Sequence, residues 1–188
     1  TIVPNLRDYY KDLKEPVIYI AKQYAFGSGT HETTYLALEM INQYSLNNDI
    51  KLKSIADIGC GSGILSLFSY KLGARNITSV DIDSDAVHCS LDNAKYNDIN
   101  LNNVILGNAK DLNNMNLQFD LVVANIETDI LIEIIADLKK LLKENSYLIL
   151  SGILLEKESS MNNVLREKKL KIIDRKRKND WVALMLSL

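Results

Sequence analysis

Apolar and polar positions along this chain form blocks that predict strands and helices in alternation. An apolar run at 55–58 leads into a glycine-rich turn, and apolar positions spaced as on one face of a helix follow at 64–72. Four later segments have the composition of buried strands: 77–81, 103–106, 119–126 and 147–153. Regular alternation of strand and helix predicts a mostly parallel sheet that helices cover on both faces.

The C-terminal part of the chain departs from this alternation. Segments 170–175 and 181–186 are strand-like and are joined by a basic turn, which predicts an antiparallel hairpin at the sheet edge. The predicted fold is therefore α/β: a doubly wound, mostly parallel seven-stranded sheet, Rossmann-like, with an antiparallel C-terminal hairpin. The predicted helices cover about 33–44, 64–72, 84–96, 130–142 and 156–168. In the third of these, Ser84 is the expected N-cap and Leu91 is expected on the buried side.

The first 24 residues differ in composition from the rest of the chain. They are mixed and polar, with a short helix expected around Leu6 to Leu13 and a short strand at 17–20. At 188 residues the chain suits one domain. We therefore expect an N-terminal extension or linker remnant at 1–24 and a single catalytic domain at 25–188.

Composition narrows the classes of function. The 22 basic and 24 acidic side chains nearly balance, so bulk charge predicts no nucleic-acid partner. No apolar run reaches membrane-spanning length, which predicts no membrane partner. Only His31 and His88 accompany Cys60 and Cys89, and none has metal-ligand spacing, so no metal is expected. Two cysteines without a disulfide framework favour a reducing compartment, and hence the cytoplasm.

The glycine turn reads Asp57-x-Gly59-x-Gly61-x-Gly63 between a strand and a helix. It is neither the dinucleotide fingerprint nor a phosphate-binding P-loop, which requires a lysine here. Asp57 would repel a pyrophosphate and attract a cation such as the sulfonium and ammonium of S-adenosylmethionine. Asp81 ends the next strand, where an acid can accept both ribose hydroxyls. The pattern favours S-adenosylmethionine over a dinucleotide, and a turn that serves only packing does not explain the two acids.

Four segments of the chain resemble one family of class I methyltransferases, the ribosomal protein L-eleven methyltransferases, or PrmA-like enzymes. They are Ala25-Phe26-Gly27-Ser28-Gly29-Thr30-His31-Glu32-Thr33-Thr34, 57–65, 120–126 and 150–154. The resemblance implies methyl transfer from S-adenosylmethionine to protein amines, on lysine side chains or an α-amino group, with a ribosomal protein as the expected partner. Lys22-Gln23 stand where the family usually has Pro-Gly. The family's N-terminal recognition domain has no counterpart in the residues before this match, which leaves the protein substrate open.

The expected site residues follow from this resemblance and from the strand ends. Asn125 is the first catalytic candidate, because its side-chain oxygen can accept an N–H of the incoming amine. His31 is a second candidate, as a general base, although a histidine in such a loop more often caps or packs. The expected cofactor-binding residues are Phe26, Thr30, Asp57, Gly59, Gly61, Gly63, Asp81, Ile82, Asn108, Ala109 and Asn125.

Two other classes of function remain open on the sequence. One is a module that binds S-adenosylmethionine without catalysis, and the other is a methyltransferase acting on RNA, DNA or a small molecule. Asn125-Ile126-Glu127-Thr128 lacks the two prolines and the aromatic residue that nucleic-acid amino-methyltransferases usually show there. Glu127 and Asp129 would also disfavour phosphate and favour a cationic lysine.

Overall fold

The computed structural model describes residues 2–4, 17–20 and 31–188, and its centre is a seven-stranded sheet. The strands are β1 Ile2–Pro4, β2 Ile18–Ile20, β3 Ser54–Ile58, β4 Asn76–Asp81, β5 Asn103–Leu106, β6 Phe119–Asn125, β7 Leu142–Leu154, β8 Lys171–Lys178 and β9 Trp181–Ser187. The order in the large sheet is β5-β4-β3-β6-β7-β9-β8, and β9 alone runs in the direction opposite to the other six strands. The predicted fold class and the C-terminal hairpin are confirmed.

In the part of the chain that the structure describes, six α-helices cover the two faces of this sheet. They are α1 Glu32–Asn47, α2 Ile64–Lys71, α3 Ser84–Tyr96, α4 Ala109–Asn114, α5 Thr128–Lys140 and α6 Glu158–Glu167. Short 3-10 turns occur at Ile50–Leu52 and Leu155–Lys157. Helices α1 to α3 contribute to one hydrophobic core and α4 to α6 to the other. The two cores are separated by the sheet, as expected of a doubly wound α/β fold.

The central strand β6 shows why the sequence folds this way. Leu121 and Val123 enter one core, whereas Val122 and Ala124 enter the other, and all four side chains are buried. Successive side chains of a strand point to opposite faces, so a strand covered on both sides must be apolar at every position. The nearly continuous apolar run at 119–126 therefore predicted the position of this strand correctly.

Strands β1 and β2 form a separate parallel pair beside the main sheet. The strand predicted at 17–20 is present as β2, which packs against α2 and α3, and Ile18 and Ile20 are buried in the core. Asn97 holds this segment through the backbone of Tyr19, donating to its carbonyl at 2.6 Å and accepting its amide at 2.8 Å. The helix predicted around Leu6 to Leu13 lies outside the described residues, and the division at residue 24 stays a prediction.

Helix α3 corrects two of the sequence-based expectations. Its N-cap is Asp83, whose side chain accepts the amide of Asp85 at 2.8 Å, so Ser84 is the first helical residue. Leu91 is 41% exposed, because the helix packs through the small side chains on its other side. Two acids and a serine in sequence all suit an N-cap, and only the backbone geometry separates them.

Helix α4 and the start of β7 were not predicted. Asn108 and Asp111 form a reciprocal capping box that begins α4, a signal present in the sequence. Leu142 pairs with Phe119, and the chain then bulges before pairing resumes at Tyr147. The polar residues of that bulge are typical of a turn, so the sequence did not predict the pairing at Leu142. Helix α5 was predicted at 130–142, two residues too far along the chain.

An ionic cluster lies at the amino-terminal ends of β3 and β6. Asp120 accepts the amide of Ser54 at 2.9 Å, its hydroxyl at 2.7 Å and the ammonium of Lys143 at 2.8 Å. Burial acts to raise the pKa of Asp120, but the bonds from Lys143 and Ser54 outweigh it and hold this pKa well below the ordinary value. This cluster is at the end of the sheet opposite the cavity described next.

Candidate active site

A cavity of about 570 Å³ lies at the carboxyl-terminal edge of the sheet. It is above β3 and β6, the neighbouring strands from which the chain leaves toward opposite faces. Ligands of open α/β sheets bind at such switch points, because the diverging connections leave a crevice there. The described residues that line it are His31, Thr33, Gly59, Cys60, Gly61, Ile64, Leu65, Asp81, Asp83, Ala86, Asn125, Ile126, Glu127, Ile130, Gly152 and Trp181.

The glycine turn forms one wall of this cavity. Gly63 ends the turn at φ +78° and is the N-cap of α2, and a Cβ there would lie 2.8 Å from the hydroxyl of Ser90. A residue with a side chain would be strained in this backbone conformation and would collide with α3. Backbone hydrogen bonds from Gly59 and Cys60 to the carbonyl of Val80 hold the turn against β4. The turn therefore presents bare main chain to the cavity at Gly59 and Gly61.

Asp81 joins this turn to the end of β4. One carboxylate oxygen accepts the amide of Gly61 at 2.9 Å and the other accepts the amide of Asp83 at 3.0 Å. Each carboxylate oxygen has a further lone pair, so these bonds leave acceptor capacity toward the cavity. Asp81 therefore orders the turn and can still accept hydroxyl groups of a ligand.

Asp57 occupies a different place from the one expected. Its side chain is 1% exposed and lies beneath the glycine turn rather than in the cavity wall. Oδ2 accepts the hydroxyl of Ser66 at 2.6 Å and its amide at 3.1 Å, whereas Oδ1 has no hydrogen-bond partner. Burial raises the pKa of Asp57 to about 6, and the bonds from Ser66 only partly oppose this. Asp57 thus binds the first turn of α2. It can affect a ligand in the cavity only indirectly, through the position of the glycine turn.

Asn125 ends β6 with its side chain in the cavity wall. Its Nδ2 donates to the hydroxyl of Thr34 at 3.4 Å, which connects the strand end to helix α1. Its Oδ1 is shielded from solvent and accepts no hydrogen bond. Leaving a buried acceptor unsatisfied costs about 1–3 kcal/mol, so such an atom calls for an explanation. A ligand N–H at this position would satisfy it.

His31 lies at the opposite rim and begins helix α1. Its Nδ1 accepts the amide of Thr33 at 3.3 Å, which makes His31 the N-cap, and its ring packs edge-on against Trp181 with 5.1 Å between centroids. In the neutral ring that caps through Nδ1, the proton is on Nε2. The geometry therefore assigns a capping role to His31 in this conformation.

The cavity is acidic along its described wall. Asp81, Asp83 and Glu127 line it, and no described lysine or arginine does. With little water in a crevice, three carboxylates favour a positively charged ligand and disfavour a phosphate. Asp129, which was expected to share this role, is instead paired with Lys157 at 2.6 Å.

The structure brings five of the expected site residues into one cavity wall: His31, Gly59, Gly61, Asp81 and Asn125. The others take different places. Asp57 and Gly63 support the turn from behind, Ala109 is buried, Asn108 is the exposed cap of α4, and Ile82 is 77% exposed next to Asp81. Phe26 and Thr30 lie outside the described residues.

Two of the wall residues that the sequence did not predict are Trp181 and Gly152. Trp181 could not be predicted there, because nothing in the sequence shows that β9 begins at the same edge of the sheet where β6 ends. Gly152 has φ +87°, and a Cβ there would collide with the carbonyl oxygen of Ile126. A glycine inside a strand pattern signals such a close backbone approach, so this residue could have been found from the sequence.

The described residues hold no group of three or more His, Cys, Asp or Glu side chains arranged to bind a metal ion. Both cysteines are free thiols. In the same part of the chain, no helix combines the length and the apolar character needed to cross a membrane.

The sheet order and the acidic cavity over a glycine turn define the class of Rossmann-like methyltransferases. The sequence pattern of one family, "Ribosomal protein L11 methyltransferase (PrmA)", matches residues 1–188. The chain belongs to this family. A ribosomal protein L11 methyltransferase of Campylobacter concisus is 39% identical over 166 residues, which cover 88% of this chain and 56% of that protein. One of Fusobacterium nucleatum is 36% identical over 184 residues, covering 97% of this chain and 57% of that protein.

A crystal structure of a ribosomal protein L11 methylase from Lactobacillus delbrueckii subsp. bulgaricus has the same fold. It is 32% identical, with a TM-score of 0.88, and the match covers 99% of this chain and 93% of that chain. The curated relatives are longer, and this chain spans less than two thirds of their length. Family membership and fold are therefore shown.

Proposed function

We propose that this chain transfers methyl groups from S-adenosylmethionine to amino groups of a ribosomal protein, L11 in the first instance. The observation that carries the proposal is the unsatisfied Oδ1 of Asn125 in the wall of an acidic cavity. This atom can accept an N–H of the incoming amine and so direct the nitrogen lone pair toward the methyl group. The names of the relatives support the choice of substrate, since they are described as ribosomal protein L11 methyltransferases.

The residues of the cavity fit the cofactor that this reaction requires. Bound there, S-adenosylmethionine would supply a methyl group already activated on a sulfonium. Asp81 would accept the ribose hydroxyls, because its carboxylate keeps acceptor capacity after binding the turn. The bare backbone of Gly59 and Gly61 would allow the cofactor to approach closely. Asp81 and Asp83 in the cavity wall would stabilise the cofactor's positive groups.

The protein's own part in the chemistry is alignment. Methyl transfer is an in-line displacement that needs a neutral amine at a defined angle, and Asn125 can provide that orientation. Ser151 donates to the carbonyl of Thr33 at 2.8 Å, and Asn125 binds Thr34, so α1 and the strand ends form one frame around the site. A ribosomal substrate also favours a cytoplasmic location, which belongs to the same proposal.

The test begins with calorimetric titration of S-adenosylmethionine into the chain. Radiolabelled cofactor is then incubated with purified ribosomal protein L11, and the modified residues are located by mass spectrometry. Asn125→Ala is the informative variant, and Asn103→Ala is its matched control, because Asn103 is an exposed asparagine at the amino end of β5. Cofactor binding with methylated lysine or α-amino nitrogen supports the proposal. Binding with no transfer to any protein would support the non-catalytic module instead.

A further inference from the structure

The two acids at the start of helix α5 have different surroundings. Glu127 lines the cavity, and its side chain makes no capping hydrogen bond at the start of α5. Its carboxylate lies near enough to Lys157 to help raise the pKa of that ammonium, but the ion pair of Lys157 is with Asp129. Asp129, two positions later, accepts the ammonium of Lys157 at 2.6 Å. The sequence alone could not separate these two acids. The structure leaves one of them paired and the other available in the site.

The backbone of Glu127 is fixed by its neighbour. Thr128 is buried, and its hydroxyl donates to the carbonyl of Gly152 at 3.2 Å and accepts the amide of Leu154 at 2.9 Å. These bonds secure the start of α5 to the end of β7. The carbonyl of Glu127 accepts the first helical hydrogen bond, from Leu131, whereas its side chain makes no capping bond. A defined backbone thus presents an uncommitted carboxylate to the cavity.

The simplest explanation for Glu127 is that an acid near a helix N-terminus stabilises the helix dipole. Asp129 already places an acid in the first turn of α5. Asn125 lines the same cavity, and its Oδ1 also lacks a donor. A carboxylate and an amide oxygen, both without donors in one wall, match a ligand that carries positive charge and several N–H groups. An alkylammonium has both properties.

We propose that Glu127 is a specificity-determining residue that binds the ammonium form of the substrate's lysine side chain beside Asn125. This inference rests on the proposed function and names the residue that selects its substrate. The ammonium loses one proton to solvent before reaction. The lone pair of the neutral nitrogen then forms a bond to the methyl carbon while the bond from that carbon to sulfur breaks, and S-adenosylhomocysteine leaves. Because a carboxylate nearby favours the charged form, Glu127 raises the pKa of the bound lysine while it strengthens binding. Glu127 therefore lowers KM for the protein substrate and shifts the acid limb of the pH profile of kcat to higher pH.

Glu127→Gln tests this inference, with Asp129→Asn as its matched control. Each variant removes one negative charge from the same helix start and keeps the side chain's shape, but Glu127 alone of the two lines the cavity. With L11 as substrate, KM for Glu127→Gln should rise about five-fold or more, and the acid limb of kcat should move to lower pH. Asp129→Asn should stay within about two-fold of the wild-type KM. Cofactor affinity, measured by calorimetry, should be the same in all three proteins.

A second measurement does not depend on methyl transfer. n-Butylammonium is titrated into the complex with S-adenosylhomocysteine, and the amide resonances of residues 125–128 are followed by NMR. Saturation should need roughly five times more ligand in Glu127→Gln than in the wild type or in Asp129→Asn. Equal binding by all three proteins overturns the inference, as does an equal loss in both variants. If n-butylammonium binds more weakly to Glu127→Gln than to the other two proteins, but the wild type methylates no protein, the role of Glu127 is supported and the proposed function is overturned.

Discussion

The carboxylate of Asp81 accepts the backbone amide of Gly61 at 2.9 Å, across 20 residues of sequence. This bond joins the end of β4 to the glycine turn after β3, and the second oxygen of Asp81 accepts the amide of Asp83. The acid expected to hold the ribose therefore also shapes the wall against which the cofactor would lie. Loss of this side chain should affect the ligand twice, through a lost acceptor and through a loosened turn.

Asp81→Ala should raise the dissociation constant of S-adenosylmethionine about fifty-fold or more, since a lost charged acceptor costs about 2–3 kcal/mol. Calorimetry measures this change, and thermal unfolding without cofactor checks that the fold persists. Asp85→Asn, an acid one turn away on α3, is the control and should bind as the wild type does. Unchanged affinity in Asp81→Ala would falsify the ribose assignment.

Asn125→Ala should leave cofactor affinity within a few-fold and lower the methyl-transfer rate roughly a hundred-fold, because its side chain orients the amine. It also removes a buried acceptor that has no partner, so the free energy of unfolding should change little. Single-turnover kinetics and calorimetry on the same preparation separate the two effects. A collapse of cofactor affinity would show that Asn125 belongs to the cofactor site.

His31 offers a test between capping and general-base catalysis. Because its Nδ1 accepts the amide of Thr33, asparagine should replace it as an N-cap while having no basic nitrogen. We expect His31→Asn to keep the transfer rate within a few-fold, and His31→Ala to destabilise the protein by about 1 kcal/mol. Rates of both variants from pH 6 to pH 9 are the measurement. A large loss of rate in His31→Asn, with a flattened pH profile, would favour the base.

Asp57 should make stability fall as the pH rises. Its folded pKa of about 6 is above the value of the unfolded chain, so the folded state binds more protons between about pH 4 and pH 6. Stability from this group is present at low pH and is lost through that window. Relative to Asp57→Asn, the wild type should lose about 2 kcal/mol between pH 4.5 and pH 7.5. Urea unfolding of both proteins at the two pH values measures it, and a constant difference would contradict the expected shift.

Asp120 should show the opposite dependence. Its pKa is held down in the folded state, so its stabilising effect is present at neutral pH and is lost as the pH falls below the unfolded value. Asp120→Asn should lower the free energy of unfolding at pH 7 by about 1 kcal/mol, since the pair with Lys143 is partly exposed. Asp137→Asn removes an exposed pair with Lys140 and should cost less. Equal effects in both variants would argue against the Ser54 and Lys143 cluster.

Most of the fold could be predicted from local patterns. Segment 119–126 is apolar at every position except Asp120 and Asn125, and a strand covered on both faces requires such a nearly continuous apolar run. The glycine turn and the helix after it could also be predicted, because only glycine adopts a positive φ without steric cost. The pairing of Leu142 with Phe119 could not be predicted, because the local pattern around each residue does not indicate a partner 23 residues away.

The sequence by itself determined the order of elements, the parallel sheet and the edge at which a site must lie. These follow from burial periodicity and connection rules, which act on neighbouring residues. Only the tertiary structure decided which polar groups face the cavity. Asp57 is beneath the turn and Asp81 in the wall, Glu127 is available and Asp129 paired, and Trp181 joins His31. Each of these outcomes depends on distances between residues far apart in the chain, and local pattern carries no information about such distances.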